Sequence, residues 1–203
     1  MLVLEHEDQD LFDHVQAQNL LRQYDLMTNC IEIGLEQGPR AFDKYMLWAL
    51  NHVAIANISQ FGGRYREEPV YVGSHRPPHF RDVNELMDRF ITTVHENWYI
   101  WTRTELAAYG LWRLLWIHPF IEGNGRTARA ACYYLLSVRS GTLLGGRKIV
   151  PERIKEDRAG YEAALQAADT AWENGDLDFT AMESYLAALL EAQLSDEGLP
   201  PAD

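Results

Sequence analysis

Cysteine is nearly absent: Cys30 and Cys132 are the only two in 203 residues. Their number and separation exclude a disulfide framework and a cysteine zinc site, and suit two small buried side chains in a reducing compartment. Positive charge is also short, with 18 Lys and Arg against 30 Asp and Glu and a formal net charge of −12. That balance argues against a broad nucleic-acid footprint while leaving room for a local cationic pocket. Long hydrophobic runs are missing, which excludes a membrane-spanning helix, and the opening MLVLEHEDQD carries acids where a secretory leader would be basic. A cytoplasmic protein with no membrane partner and no direct nucleic-acid binding is expected. Internal repeats, low-complexity tracts, a Walker A sequence and a metalloprotease histidine pair are absent too. What is present, 47% hydrophobic and 24% charged residues, is the balance of one globular domain.

Periodicity points to helices nearly throughout. Phe80, Val83, Leu86, Met87, Phe90, Ile91 and Val94 fall on one face of a helix that starts just after Pro77 and Pro78. Ile154, Tyr161, Leu165, Ala168 and Trp172 mark a second, running from near Pro151 to Gly175; Phe179, Met182, Tyr185, Leu186, Leu189 and Leu190 mark a third. The stretches from Ala41 to Ile58 and from Thr104 to Ile117 are apolar on most sides, as central bundle helices are. With a helix around Leu11 to Met27, the count is about seven. The expected organisation is an N-terminal helical segment over 1–39, a core over 40–175, a C-terminal helix over 176–194 and a flexible tail, SDEGLPPAD, over 195–203.

One segment breaks this pattern. FGGRYREEPVYVGSHRPP opens on a glycine pair, passes through Val70, Tyr71 and Val72, and ends in Gly73 and a proline pair. That punctuation predicts a short β-hairpin, packed on the helices and with one edge free to take up an extended peptide. An ordinary surface loop fits the same residues.

The densest chemistry lies in HPFIEGNGRTAR, residues 118–129. Pro119 ends the preceding helix, so His118 stands at a helix-to-loop junction with a ring suited to taking a proton from a hydroxyl. Gly123, Asn124 and Gly125 make a small-residue turn into the next helix, and exposed amides there form a cradle for phosphate. Arg126 and Arg129, three apart, share a face of that helix's first turns, and two guanidiniums suit a polyphosphate. Glu122 can give one carboxylate to a Mg²⁺ otherwise held by phosphate oxygens and water. Together these residues point to in-line displacement at a nucleotide phosphate. GNGRTA also satisfies a dinucleotide fingerprint, but neither the preceding strand nor the later acid is there.

This stretch resembles the signature of the Fic family, H-x-F-x-[D/E]-G-N-G-R-x-x-R, at every specified position. GGRYR with VYVGSHRPP is similar to that family's flap, and RIKEDRAGYEAAL to its following helix. The resemblance covers roughly residues 40 to 175. It implies an all-α Fic-fold helical bundle with one short β-hairpin flap, transferring AMP from ATP to a Ser, Thr or Tyr hydroxyl of a target protein with Mg²⁺. His118 would then be the base, Phe120 the loop's anchor, Glu122 the Mg²⁺ ligand, and Gly123, Asn124 and Gly125 the phosphate cradle. Arg126 and Arg129 would hold the β- and γ-phosphates, and Val70, Tyr71 and Val72 would align the target backbone.

Many members of that family silence themselves with [S/T]-x-x-x-E-[G/N], whose glutamate pairs with the second arginine. TNCIEIG offers Thr28 and Glu32 at that spacing, with Ile33 in place of glycine or asparagine. Glu32 is thus the candidate inhibitory residue, a solvated helix acid being the alternative. A homodimer or a separate regulatory protein would be further partners. Two other readings stand beside AMP transfer: another phosphate-containing donor on the same scaffold, or a non-catalytic, toxin-like interaction module. Tyr133, Tyr134 and Tyr161 could stack on a base or belong to the core.

Overall fold

The computed structural model describes residues 9–73 and 75–195. Among these, eight α-helices follow one another: α1 (Gln9–Gln37), α2 (Lys44–Ala54), α3 (Val83–Glu96), α4 (Arg103–Ile117), α5 (Asn124–Ser140), α6 (Val150–Glu156), α7 (Arg158–Glu173) and α8 (Thr180–Ser195). Short 3₁₀ turns at Gly38–Ala41 and Phe80–Asp82 precede α2 and α3. The tail expected over 195–203 lies outside the described residues apart from Ser195, which closes α8.

Helices α4 and α5 form the centre. Ten of the residues of α4 and twelve of those of α5 are buried, including Trp112, Tyr133 and Tyr134. Such all-round apolarity is stable only when neighbours cover every face. Thr102 starts α4 with a reciprocal cap, accepting from the Glu105 amide at 3.1 Å while the Glu105 carboxylate accepts from the Thr102 amide at 2.7 Å. On the other side, Arg113 stacks between Trp116 and Trp172, at 4.2 and 4.1 Å from the ring centroids, and so clamps α7 to α4. The face expected for α3 is the buried one, through Val83, Met87, Phe90 and Val94.

Several expectations change. The stretch from Ala41 to Ile58 yields only an eleven-residue helix, and α2 is amphipathic, burying Met46, Leu47 and Leu50 while Tyr45 stays 63% exposed. The single helix expected from Pro151 to Gly175 is two, because the Asp157 side chain accepts from the Gly160 amide at 3.1 Å and starts α7 afresh. The hairpin is reduced to one antiparallel bridge between Val72 and His75. Pro69, Pro77 and Pro78 flank it without N–H groups, so no ladder can grow beyond that pair.

α1 is longer than expected and lies along α5. Gly34 permits the approach: a Cβ there would come within 2.8 Å of Val138 Cγ2 and closer still to the Tyr134 hydroxyl. Further up, Gln23 donates to the Leu50 carbonyl at 3.0 Å and Asn19 to that of Ala56 at 2.7 Å, fastening α1 to α2. α8 closes the opposite side, where Gln193 donates to Tyr133 Oη at 3.0 Å and accepts from the Val150 amide at 2.7 Å.

Candidate active site

His118 ends α4 in the left-handed region, at φ 50 and ψ 59. A non-glycine residue pays about 1 kcal/mol or more for that conformation, so the surroundings must hold it there. They do so from both sides: the His118 amide donates to the Leu114 carbonyl at 3.0 Å, and its own carbonyl accepts from Arg66 Nε at 2.8 Å. Burial pushes the His118 ring down to about 4, with His75 and Arg66 adding in the same direction and a hydrogen bond to the Leu115 carbonyl opposing them. At neutral pH the ring is uncharged, and the nitrogen facing away from Leu115 keeps a lone pair.

The loop beyond His118 is rigid by construction. Phe120 is fully buried with its ring 5.6 Å from that of Tyr65, as expected of an anchor. The Asn124 side chain accepts from the Phe120 amide at 3.0 Å and donates to the Phe120 carbonyl at 2.9 Å. That closed pair turns the Asn124 carboxamide back onto the loop, and its backbone amide is the group placed at the start of α5. Gly123 opens α5 at φ 78, and a Cβ there would meet Ile55 at 2.8 Å and Asn51 at 2.9 Å. Asn51 is the clasp: it donates to the Glu122 carbonyl at 2.8 Å and accepts from the Gly63 amide at 3.0 Å.

The first helical bond of α5 runs from the Thr127 amide to the Gly123 carbonyl, 2.9 Å, which leaves the amides of Asn124, Gly125 and Arg126 without helical acceptors. With the helix dipole behind them they form an anion site. Glu122 and Arg129 both lie near enough to Arg126 to act on its charge, while burial lowers its pKa. Arg126 also donates to the Ala54 carbonyl at 2.7 Å, capping α2 and fixing the guanidinium's place. Both arginines border a cleft of about 590 Å³ between α1, α5 and α6. Tyr161 lies beside Arg129, whose charge pulls the phenol down while burial pushes it up more strongly. Tyr133 and Tyr134 are fully buried and belong to the core.

Glu32 is not brought to Arg129. Because α1 is pinned to α5 with Gly34 level with Tyr134, the α1 residues that line the cleft with Arg126 and Arg129 run from Asp13 to Met27, and the last of them lies more than one turn before Glu32. Glu32 itself is exposed. The expectation of an inhibitory contact at that residue is therefore corrected by the helix register. Val70, Tyr71 and Val72 remain accessible, Tyr71 at 73%.

Mg²⁺ suits Glu122 as a single protein ligand. No group of three or more His, Cys, Asp or Glu able to hold a metal occurs among the described residues, and Mg²⁺ commonly takes one or two carboxylates beside phosphates and water.

Sequence reasoning missed Asn51, Arg66 and His75, which approach the loop from α2 and the flap. Residues 41–136 match the model of the Fic/DOC family. The chain carries a Fic/DOC family domain. A protein adenylyltransferase Fic of Drosophila persimilis is 43% identical over 111 residues, 53% of this chain and 20% of that protein. Another of that name, from Culex quinquefasciatus, is 41% identical over 81 residues, 39% of this chain and 16% of the relative. The chain thus spans about a fifth of the length of these curated relatives. Among solved structures, a Fic-domain-containing signalling protein from Bacteroides thetaiotaomicron superposes with a TM-score of 0.70 at 20% identity, covering 89% of this chain and 74% of that one. Fic-1 of C. elegans gives 0.68 at 22% identity, covering 90% and 50%. The helical fold of the domain is therefore the Fic fold.

Proposed function

We propose that this protein transfers AMP from ATP to a hydroxyl side chain of a target protein. One observation carries the reading: a neutral histidine, fixed in a left-handed cap, opens a rigid loop that ends in three unpaired amides and two arginines. The curated relatives named protein adenylyltransferase support it.

In this scheme the amides of Asn124, Gly125 and Arg126 hold phosphate oxygens, and Arg126 and Arg129 take the charge of the β- and γ-phosphates. The target hydroxyl oxygen attacks the α-phosphorus, its proton passes to the free nitrogen of His118, and the bond to the β-phosphate oxygen breaks to release pyrophosphate. Glu122 would hold Mg²⁺, which when bound offsets phosphate charge. The accessible stretch from Val70 to Val72, of which Val72 is already bridged to His75, would align the target segment.

The test is incubation with lysate protein, Mg²⁺ and ATP labelled at the α- or the γ-phosphate, with His118→Ala as control. Transfer of α-label that vanishes in the variant is expected. Label arriving only from the γ-position would replace AMP transfer by phosphoryl transfer, and no label from either would overturn the reading.

A further inference from the structure

The last carbonyls of an α-helix lack partners within it, and those of α4 lead straight into His118. The Leu114 carbonyl is taken by the His118 amide, while those of Trp116 and Ile117, and of His118 and Pro119 just beyond the helix, are taken by the flap. His75 Nε2 is 2.9 Å from the Trp116 carbonyl, Arg66 Nη2 donates to that of Ile117 at 3.4 Å, Arg66 Nε to that of His118 at 2.8 Å, and the Arg66 amide to that of Pro119 at 2.8 Å. The same guanidinium reaches the flap's own backbone, at Glu68 through Nη1 at 3.3 Å and at Pro78 through Nη2 at 2.5 Å.

Arg66 is only 2% exposed, and every partner it has among those hydrogen bonds is a carbonyl. A buried cation without a carboxylate is an expensive way to secure a surface segment, since apolar packing would hold it at lower cost. The cost is offset because the negative end of the α4 dipole faces the guanidinium. Only the planar fork of arginine can serve carbonyls on two sides at once; a lysine ammonium cannot span them.

We propose that Arg66 is a positioning residue that joins the flap to the base, its guanidinium tying both feet of the segment 66–78 to the carbonyls of Ile117 and His118. The target-aligning backbone and His118 then keep one fixed relation. The flap is not a lid hinged independently of the site. The catalytic half of this inference rests on the proposed AMP transfer; the mechanical half does not.

Arg66→Lys and Arg66→Gln test it, the lysine variant keeping the charge should the glutamine variant fail to fold. Amide hydrogen exchange over 67–79, the ring resonances of His118 and AMP-transfer kinetics are read on the full chain. Expected in either folded variant is exchange over 67–79 faster by about tenfold or more with α4 and α5 protected as before, and displaced His118 resonances. Turnover should fall about tenfold to a hundredfold while the KM for ATP stays within about twofold. Unchanged flap exchange and His118 resonances would overturn the proposal, as would exchange raised equally through α4 and α5, which marks general destabilisation. If the parent protein transfers no AMP, the functional reading fails, and exchange with the His118 resonances decides the coupling alone.

Discussion

Acid should destabilise this fold through His118 in a measurable way. The ring titrates near 4 in the folded protein against 6.5 for the ordinary group, chiefly because it is buried. The unfolded chain therefore binds this proton more readily than the native one. Stability from the neutral ring is complete above about pH 6.5, falls as the pH drops through that value, and levels off near pH 4. From those two pKa values, linkage gives a loss of about 2 kcal/mol between roughly pH 7.5 and pH 5, against a ceiling of about 3 kcal/mol below both. Urea denaturation of the parent and of His118→Gln at both pH values isolates the histidine from the carboxylates. The parent should lose about 2 kcal/mol more than the variant over that interval. Parallel losses would refute the claim that burial keeps the ring neutral.

Other perturbations have equally direct outcomes. Gly123→Ala places a Cβ at 2.8 Å from Ile55 and 2.9 Å from Asn51 in a left-handed residue; it should cost about 2 kcal/mol in thermal denaturation and abolish AMP transfer. Asn51→Ala leaves the Glu122 carbonyl and the Gly63 amide without their partner, a cost of about 3 kcal/mol in urea denaturation. Glu32→Ala should leave transfer activity within about twofold of the parent, because the residue is exposed and away from the cleft; a gain of tenfold would restore the inhibitory contact.

Residues whose meaning is local in the chain were legible from the sequence. The apolar face of α3, the all-round burial of α4 and the contiguous loop from His118 to Arg129 depend on neighbours three or four positions away, so spacing alone exposes them. Asn51 and Arg66 are different. They lie 71 residues from Glu122 and 52 from His118, and nothing in a buried asparagine or a flap arginine announces which distant carbonyl it will cap. The break at Asp157 was hidden because a helix-period apolar pattern continues across it, while one side-chain cap resets the backbone. VYV reads as strand by propensity, yet strands need a ladder, and the flanking prolines remove its donors. The inhibitory match at Glu32 had the right spacing but the wrong register, and register was set by Gly34 against α5.

The central claim is that His118 accepts the proton of a hydroxyl attacking the α-phosphorus. Its most direct test is the transfer of label from α-labelled ATP onto protein by the parent and by His118→Ala, both shown to be folded. The account predicts stable incorporation by the parent and a loss of at least about a hundredfold in the variant. Equal incorporation by the two, or label delivered only from the γ-phosphate, would contradict it.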